Sequence, residues 1–511
     1  MHVAFYVSGH GFGHSTRAIV TVSALAESGH SVTVVTVSPP SLFADIQMRF
    51  PDKIALRRDS RALDPGIAQK DAVTVDLGKS VADMWAFLVT WEQVRDEEVE
   101  WIHASNIDCV VLDAPFVPAV AARICGVPSI LISNFTFDTI FEGVLALDPF
   151  NHQARDVCKL LKELYSHTDY LLRLPGAIPS ALFDSKDRSN EYMSGSFERA
   201  AADAADTSQI ASFASDACIL ESTQHALQML ARAALPNSPP QNTQSRARVF
   251  NMPLVVRMAK TPRLEMRALL GIPLDACVVL VTFGGHNVTP STPDRVPSPV
   301  KQLLNDKDGE DEVHDMRAAL TGIDASSGAE SVRNNVLIEI SAHLNSAAEE
   351  ATSFSDGFGQ LIPDGWHALI CVPGPKGDLL DDFIESNGAS RVTIATGSSY
   401  VPDLVQASDV VVGKCGYGTC SEVIAHNVPL VYVPRPAFVE EEGLVHNLMK
   451  PFGMSTEMKD FYAGKWSEYI LRAFRLKEHG PGAKIRLDGA AVAVNHIEDI
   501  VLVRRSIAKT K

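Results

Sequence analysis

The chain has 511 residues, 46% hydrophobic and 21% charged, the balance of a globular protein with room for two or three domains. Its 45 Lys and Arg against 62 Asp and Glu leave a formal charge of −17, which argues against bulk nucleic-acid binding and against an anionic membrane surface. Eight scattered cysteines with no C-x-x-C metal pair, no apolar run of roughly 18–20 residues, and an apolar strand at the start of the chain predict a reduced compartment, no membrane span and no leader, hence a cytoplasmic protein.

The first predicted strand is 3–7, followed at once by the glycine-rich turn GHGFGH at 9–14 and a helix over 16–27. A strand at 31–37 stops at Pro39 and Pro40, and 81–104 carries helical periodicity. Strand 108–112, helix 117–125 ending at Gly126, and strand 127–133 complete an alternation of apolar strands and amphipathic helices. That pattern belongs to a parallel sheet covered on both faces. Residues 184–250 turn rich in Ala, Ser, Asp and Asn and read as an insertion or linker. A second series follows, with strands at 278–283, 366–372, 391–395, 410–412 and 430–433. It is interrupted at 287–360 by a polar surface insertion too long for a simple connection. The predicted division is therefore an N-terminal domain 1–183, a C-terminal domain 251–488, and a helix within 489–511 that returns to the first domain.

The second series carries its own glycine-rich turn, GKCGYGT at 413–419, after the strand 410–412. Each such turn ends a buried strand and opens a helix, presenting free N–H groups and a positive dipole end to an anion. Two of them imply two nucleotide-fold domains facing across a cleft. In so acidic a chain, phosphates would have to be held by local dipoles and a few cations.

Seven stretches in order carry a family likeness: GHGFGHSTR at 9–17, VVLDA at 110–114, SNFTFD at 133–138, LRLPG at 172–176, MPLVVR at 252–257, FGG at 283–285 and GKCGYGTCSE at 413–422. With them the chain resembles GT-B glycosyltransferases, and among these the glycosyltransferase-like N-terminal domain of plant L-arabinokinase. No stretch here resembles the ATP loop of the kinase domain that follows in the plant enzyme, so sugar-kinase activity is not implied.

The resemblance implies transfer of a sugar from a nucleoside diphosphate sugar, with UDP as the expected nucleotide, to a small-molecule or lipid hydroxyl acceptor. No cofactor or metal is implied, because helix dipole and basic groups neutralise the leaving diphosphate. In inverting members a base at the cleft deprotonates the acceptor hydroxyl. His14 is the candidate, with His10 as rival in the same loop; His14 could instead merely cap the helix or bind an anion. Asp113 could orient the imidazole, or serve as an N-cap for the following helix. Asn134 and Asp138 could touch the acceptor, and Arg17 could contact phosphate or acceptor or only cover its helix.

For the donor, Gly416 and Gly418 would let the backbone approach a diphosphate, Thr419 would offer a hydroxyl and Lys414 a positive charge. Gly284 and Gly285 resemble a second phosphate-contacting turn. Tyr400 and Val401 open the segment that resembles the base-binding part of plant enzymes, where an aromatic ring stacks on the base; Asp403 departs from the usual Gln there. Glu422 stands where related enzymes hold ribose, or simply favours the helix dipole. Glu441 and Glu442 match an acidic–polar pair that grips donor-sugar hydroxyls, in a register uncertain by one residue, or form a solvated charge run. Two other readings stay open: a nucleotide-sugar 2-epimerase of the same fold, and a sugar-nucleotide-binding module without catalysis.

Overall fold

A computed structural model describes residues 1–58, 62–70, 74–184, 247–284, 361–371, 391–395, 399–435, 438–477 and 485–510. Gly285 and the insertion 287–360 lie outside them, as does nearly all of 184–250.

The N-terminal half runs β1 (His2–Val7), α1 (Phe12–Glu27), β2 (Ser31–Val35), α2 (Ala44–Arg49), β3 (Ile54–Arg57), α3 (Leu77–Ala104), β4 (Cys109–Asp113), α4 (Val117–Cys125), β5 (Ser129–Ser133), α5 (Phe137–Leu147), α6 (His152–Tyr165), β6 (Tyr170–Arg173) and β7 (Arg248–Asn251). The C-terminal half runs α7 (Arg263–Leu269), β8 (Cys277–Thr282), β9 (Trp366–Cys371), β10 (Val392–Ala395), α8 (Val401–Ala407), β11 (Val410–Lys414), α9 (Tyr417–Ala425), β12 (Leu430–Val433), α10 (Val439–Leu444), β13 (Gly453–Ser455), α11 (Met458–Tyr462), α12 (Ser467–Leu476) and α13 (Gly489–Thr510). No helix among the described residues is long and apolar enough to cross a membrane.

The strands form two parallel sheets, ordered β3-β2-β1-β4-β5-β6-β7 and β10-β9-β8-β11-β12-β13. Strands such as CVVLD and SILIS are buried along their whole length because helices cover both faces of a parallel sheet. The expected strands and helices are present with ends shifted by a few residues, and short β3, β6, β7 and β13 join them. β7 pairs with β6, so the first sheet takes in residues 248–251, of which 248–250 fall in the stretch 184–250 read from sequence as linker.

In each sheet the strand order reverses once, between β1 and β4 and between β8 and β11. Ligands of open parallel sheets bind in the crevice beyond the strand C-termini at such a reversal. The reversal in the first sheet brings the end of β1 beside Asp113, and the second brings Gly284 beside Lys414.

One apolar cluster crosses from domain to domain, including Val3, Val22, Leu254, Leu280, Tyr417, Val423 and Ile497. Helix α13 packs on α1, where His30 Nε2 meets Glu498 Oε1 at 2.6 Å. Its first residue, Gly489, lies so close to the backbone of Pro253 and Leu254 that a Cβ there would come within 2.5 Å of the Pro253 carbonyl oxygen.

Candidate active site

The two glycine-rich helix starts meet. A Cβ on Gly418 would lie 3.7 Å from Thr16 Oγ1, and the Arg17 guanidinium sits 5.1 Å from the centre of the Tyr417 ring. Neither helix has a side-chain N-cap bond; the cap positions are Gly11 and Gly416. Gly11 adopts φ +73, a conformation that disfavours any residue with a Cβ. The first N–H groups of α1 and α9 thus lack intrahelical partners, and both positive dipole ends open on the same region.

On the N-terminal wall His14 lies inside the first turn of α1, its Nδ1 2.9 Å from Asp113 Oδ1. Asp113 is the last residue of β4; the N-cap of α4 is Phe116, so Asp113 is not that helix's cap. The Phe135 ring meets the imidazole edge-on, with centroids 5.6 Å apart. Arg17, one turn on, is 6% exposed and engaged at all three nitrogens: Nε donates to Asp113 Oδ2 at 2.7 Å, one terminal nitrogen to Asn134 Oδ1 at 2.6 Å, and the other to Asp113 Oδ1 and to Ser133 Oγ at 3.3 Å. That last nitrogen also stands 3.1 Å from His14 Nδ1. Burial alone would raise the Asp113 carboxyl, but Arg17, His14 and their hydrogen bonds hold it below the usual carboxylate range. Each of its three nitrogens is thus engaged inside the wall, so the guanidinium is held there by Asp113, Asn134 and Ser133.

Asn134 turns its amide the other way, donating from Nδ2 to Glu440 Oε1 of α10 at 3.0 Å. A hydrogen-bonded chain therefore crosses from the C-terminal half to the imidazole: Glu440, Asn134, Arg17, Asp113, His14. Asp138, expected at the acceptor, is wholly buried beside α6, where Cys158 Sγ contacts its carbonyl oxygen at 3.3 Å; burial pushes its carboxyl up to about 6. His10 Nε2 lies 3.0 Å from the carbonyl oxygen of Asp64.

On the C-terminal wall Lys414 ends β11 with its ammonium over the Gly284 turn: a Cβ there would lie 3.6 Å from Cε and 3.9 Å from Nζ. Among the described residues this Nζ has no hydrogen-bond or ion-pair partner. Burial, with Arg435 nearby, lowers it to about 8 against the opposing pull of Glu440 and Glu441. Gly416, Gly418 and Thr419 occupy the cap and first turn of α9 as expected from their spacing.

Several expected donor contacts are already engaged inside the protein. Glu422 is buried, and its Oε1 accepts both Nε and NH2 of Arg257, at 2.9 and 2.6 Å. Arg257 in turn lies 5.4 Å from the Tyr400 ring centre, and Lys260 Nζ lies 4.5 Å from it. The Tyr400 hydroxyl donates to the Met258 carbonyl at 3.1 Å, and Val401 begins α8. Asp403 accepts from the backbone of Lys260 and Thr261 and from Thr261 Oγ1, clamping that loop. Glu441 is buried against Arg435, accepting its N–H at 2.8 Å and its Nε at 2.6 Å, while Arg435 reaches the Cys415 carbonyl. Glu442 keeps one buried oxygen, Oε1, without a partner.

Sequence reasoning passed over three residues of this region. Glu440, one position before the expected pair, is the acid that reaches the opposite wall; only the turn of α10 decides which member of a Glu triplet faces the cleft. Tyr417 lies inside the GKCGYGT turn, whose glycines, lysine and threonine alone carry the anion-binding expectation. Asp64 had no motif at all.

Residues 372–448 match the model of the glycosyltransferase family 28 C-terminal domain, a span that holds Lys414, α9 and α10. The chain is 26% identical over 504 residues to L-arabinokinase of Arabidopsis thaliana, covering 98% of this chain and 34% of that protein. It thus spans about a third of the length of this curated relative. Among solved structures it is similar to a UDP-glucosyltransferase from Polygonum tinctorium capable of glucosylating indoxyl, with a TM-score of 0.50, 13% identity and 98% of both chains covered. At that identity the likeness speaks for the fold, which is GT-B: two parallel-sheet domains facing across a cleft.

Proposed function

We propose that this chain moves a sugar from a nucleoside diphosphate sugar, in the first instance a UDP-sugar, to a hydroxyl acceptor. The observation that carries the reading is the convergence of two uncapped, glycine-opened helix starts, with the Lys414 ammonium, unpaired among the described residues, on one wall and His14 on the other. The family 28 match over the C-terminal wall supports it.

In this reading the diphosphate lies against Lys414, the Gly284 turn and the first N–H groups of α9. The acceptor hydroxyl lies at His14 Nε2, the nitrogen left free when Nδ1–H donates to Asp113. The acceptor oxygen forms a bond to the anomeric carbon as that carbon's bond to the diphosphate oxygen breaks. The hydroxyl proton passes to Nε2, and the negative charge leaves on the nucleoside diphosphate. Lys414 and the α9 start balance that charge, so no resident metal is required. The protein would act in the cytoplasm.

A second reading is a sugar-nucleotide-binding module without catalysis. Arg17 favours it, because it takes both oxygens of Asp113 and brings a cation within 3.1 Å of His14 Nδ1, spending carboxylate charge that would otherwise stabilise an imidazolium. Calorimetry with UDP, followed by a UDP-release assay on a panel of UDP-sugars with and without hydroxyl acceptors, separates the readings. Acceptor-dependent release supports the transferase, and UDP binding with no release on any acceptor supports the module. A changed sugar on the nucleotide without acceptor makes the protein a 2-epimerase, and no UDP binding ends all three.

A further inference from the structure

Three acids among the described residues keep a buried side-chain oxygen without a hydrogen-bond partner: Asp64 through Oδ2, Asp138 through both oxygens, and Glu442 through Oε1. Only Asp64 lies in the electrostatic field of both His10 and His14. It is 1% exposed and sits in the segment 62–70, which crosses the end of β1. Its Oδ1 is fixed by the Ser8 hydroxyl at 2.9 Å and the Gly66 N–H at 3.0 Å. Its carbonyl holds His10, whose ring rests on Gly66: φ there is +63, and a Cβ would come within 2.1 Å of His10 Cγ. The carboxyl is therefore locked by one oxygen, and the other is left over beside the imidazoles. His14 Nε2 is likewise without a partner among the described residues.

A buried polar atom left unpaired in a well-packed protein calls for a specific cause, and a site that waits for a ligand group is one. Asp64 Oδ2 is such an atom, its carboxyl lies in the field of His14, and the His14 ring is partly exposed, so the two side chains together match a molecule with two neighbouring hydroxyls. We propose that Asp64 is an acceptor-binding residue and that the acceptor is a polyol: one hydroxyl meets His14 Nε2 while a neighbouring hydroxyl of the same molecule donates to Asp64 Oδ2. This rests on the transferase reading above. Burial outweighs the pull of His10 and His14 and leaves the Asp64 carboxyl raised; a donated hydroxyl bond would favour the ionised form. A monohydric acceptor would satisfy His14 and leave Oδ2 unpaired, and sites built to bond a hydroxyl reject analogues that lack it.

The test uses the whole chain in the presence of UDP. Affinities of methyl β-D-glucopyranoside, myo-inositol and 2-phenylethanol are measured by saturation-transfer NMR for wild type, Asp64→Asn and Asp64→Ala, with UDP affinity by calorimetry as the check that each variant is folded. At least one polyol is expected to bind wild type about tenfold or more tighter than 2-phenylethanol. Asp64→Ala should erase that preference while the 2-phenylethanol affinity stays within about twofold. The proposal is overturned if neither polyol binds, if polyol affinity survives in Asp64→Ala, or if both probe classes weaken together, which marks a structural role. Failure of UDP to bind wild type would instead overturn the transferase reading on which the proposal stands.

Discussion

Arg17 and Asp113 grip each other at two points inside the cleft wall, Nε on Oδ2 at 2.7 Å and a terminal nitrogen on Oδ1. Both are nearly fully buried. The pair therefore does two jobs: it ties α1 to the end of β4, and it decides how much negative charge the imidazole of His14 feels.

Arg17→Met should leave the Asp113 carboxylate buried without its main partner, and breaking such a pair typically costs about 3–5 kcal/mol. Urea denaturation at pH 7 should report a loss of that order, with Arg17→Lys losing less because the charge remains without the fork. The sign of the pH effect follows from the depressed carboxyl. Its stabilisation is complete above the unfolded value near ~3.9 and is lost as pH falls through the folded value. Wild type should therefore weaken on acidification below about pH 4, and Arg17→Met should show less of that decline. Equal acid sensitivity in the two proteins would count against the pair as its source.

Lys414, held at about 8, is partly neutral in mildly alkaline solution. If a diphosphate sits against it, UDP affinity should fall as pH rises through about 8 and beyond, because binding then requires proton uptake. Calorimetry at pH 8.5 in buffers of different ionisation enthalpy should detect that uptake. Lys414→Met should weaken UDP binding by about tenfold or more, in line with about 1.5–3 kcal/mol for a charge-assisted hydrogen bond, and remove the uptake. Without UDP, the depressed ammonium means the unfolded chain binds more protons between about pH 8 and 10.4, so its contribution to stability should rise across that window.

His14→Ala should reduce UDP-sugar turnover by about 10²–10⁴, the usual share of general-base catalysis, while leaving UDP affinity within a few fold. His10→Ala is the matched control for the rival imidazole. Loss of turnover in His10→Ala alone would move the base from one histidine to the other.

Gly443 of α10 packs against the first domain so closely that a Cβ would meet the Gly176 carbonyl oxygen at 2.6 Å and Ile178 Cγ2 at 2.8 Å. On the other side of the same contact, Val439 Cγ2 occupies the space a Cβ would need on Gly143. Gly443→Ala should push α10 off residues 176–178 and break the Asn134–Glu440 bond. Small-angle scattering should show a larger radius of gyration, and the thermal midpoint should fall by about 1–2 °C, what about 1–2 kcal/mol gives in a protein of this size. An unchanged scattering profile would mean the contact yields without opening the domains.

Much of the architecture was legible in the sequence because its causes are local. Apolar runs such as 108–112 and 410–412 announce buried parallel strands, and glycines after such strands announce turns whose backbone must take conformations like Gly11 at φ +73. Short β3 and β7 escaped because their partly exposed residues leave too little apolar signal. Glu422 and Glu441 were expected to hold the donor, yet each is bound to an arginine that sequence cannot place next to it.

The chain's own order of residues settled the two parallel sheets, the glycine-opened helix starts and the imidazole beside one of them, since periodicity, backbone freedom and strand burial act over a few neighbours. Which carboxylate meets which cation was settled only in three dimensions. Arg17 lies 96 positions from Asp113, and Asn134 lies 306 from Glu440. Charges pair by distance through space, and that distance exists only once both sheets have folded and closed on each other.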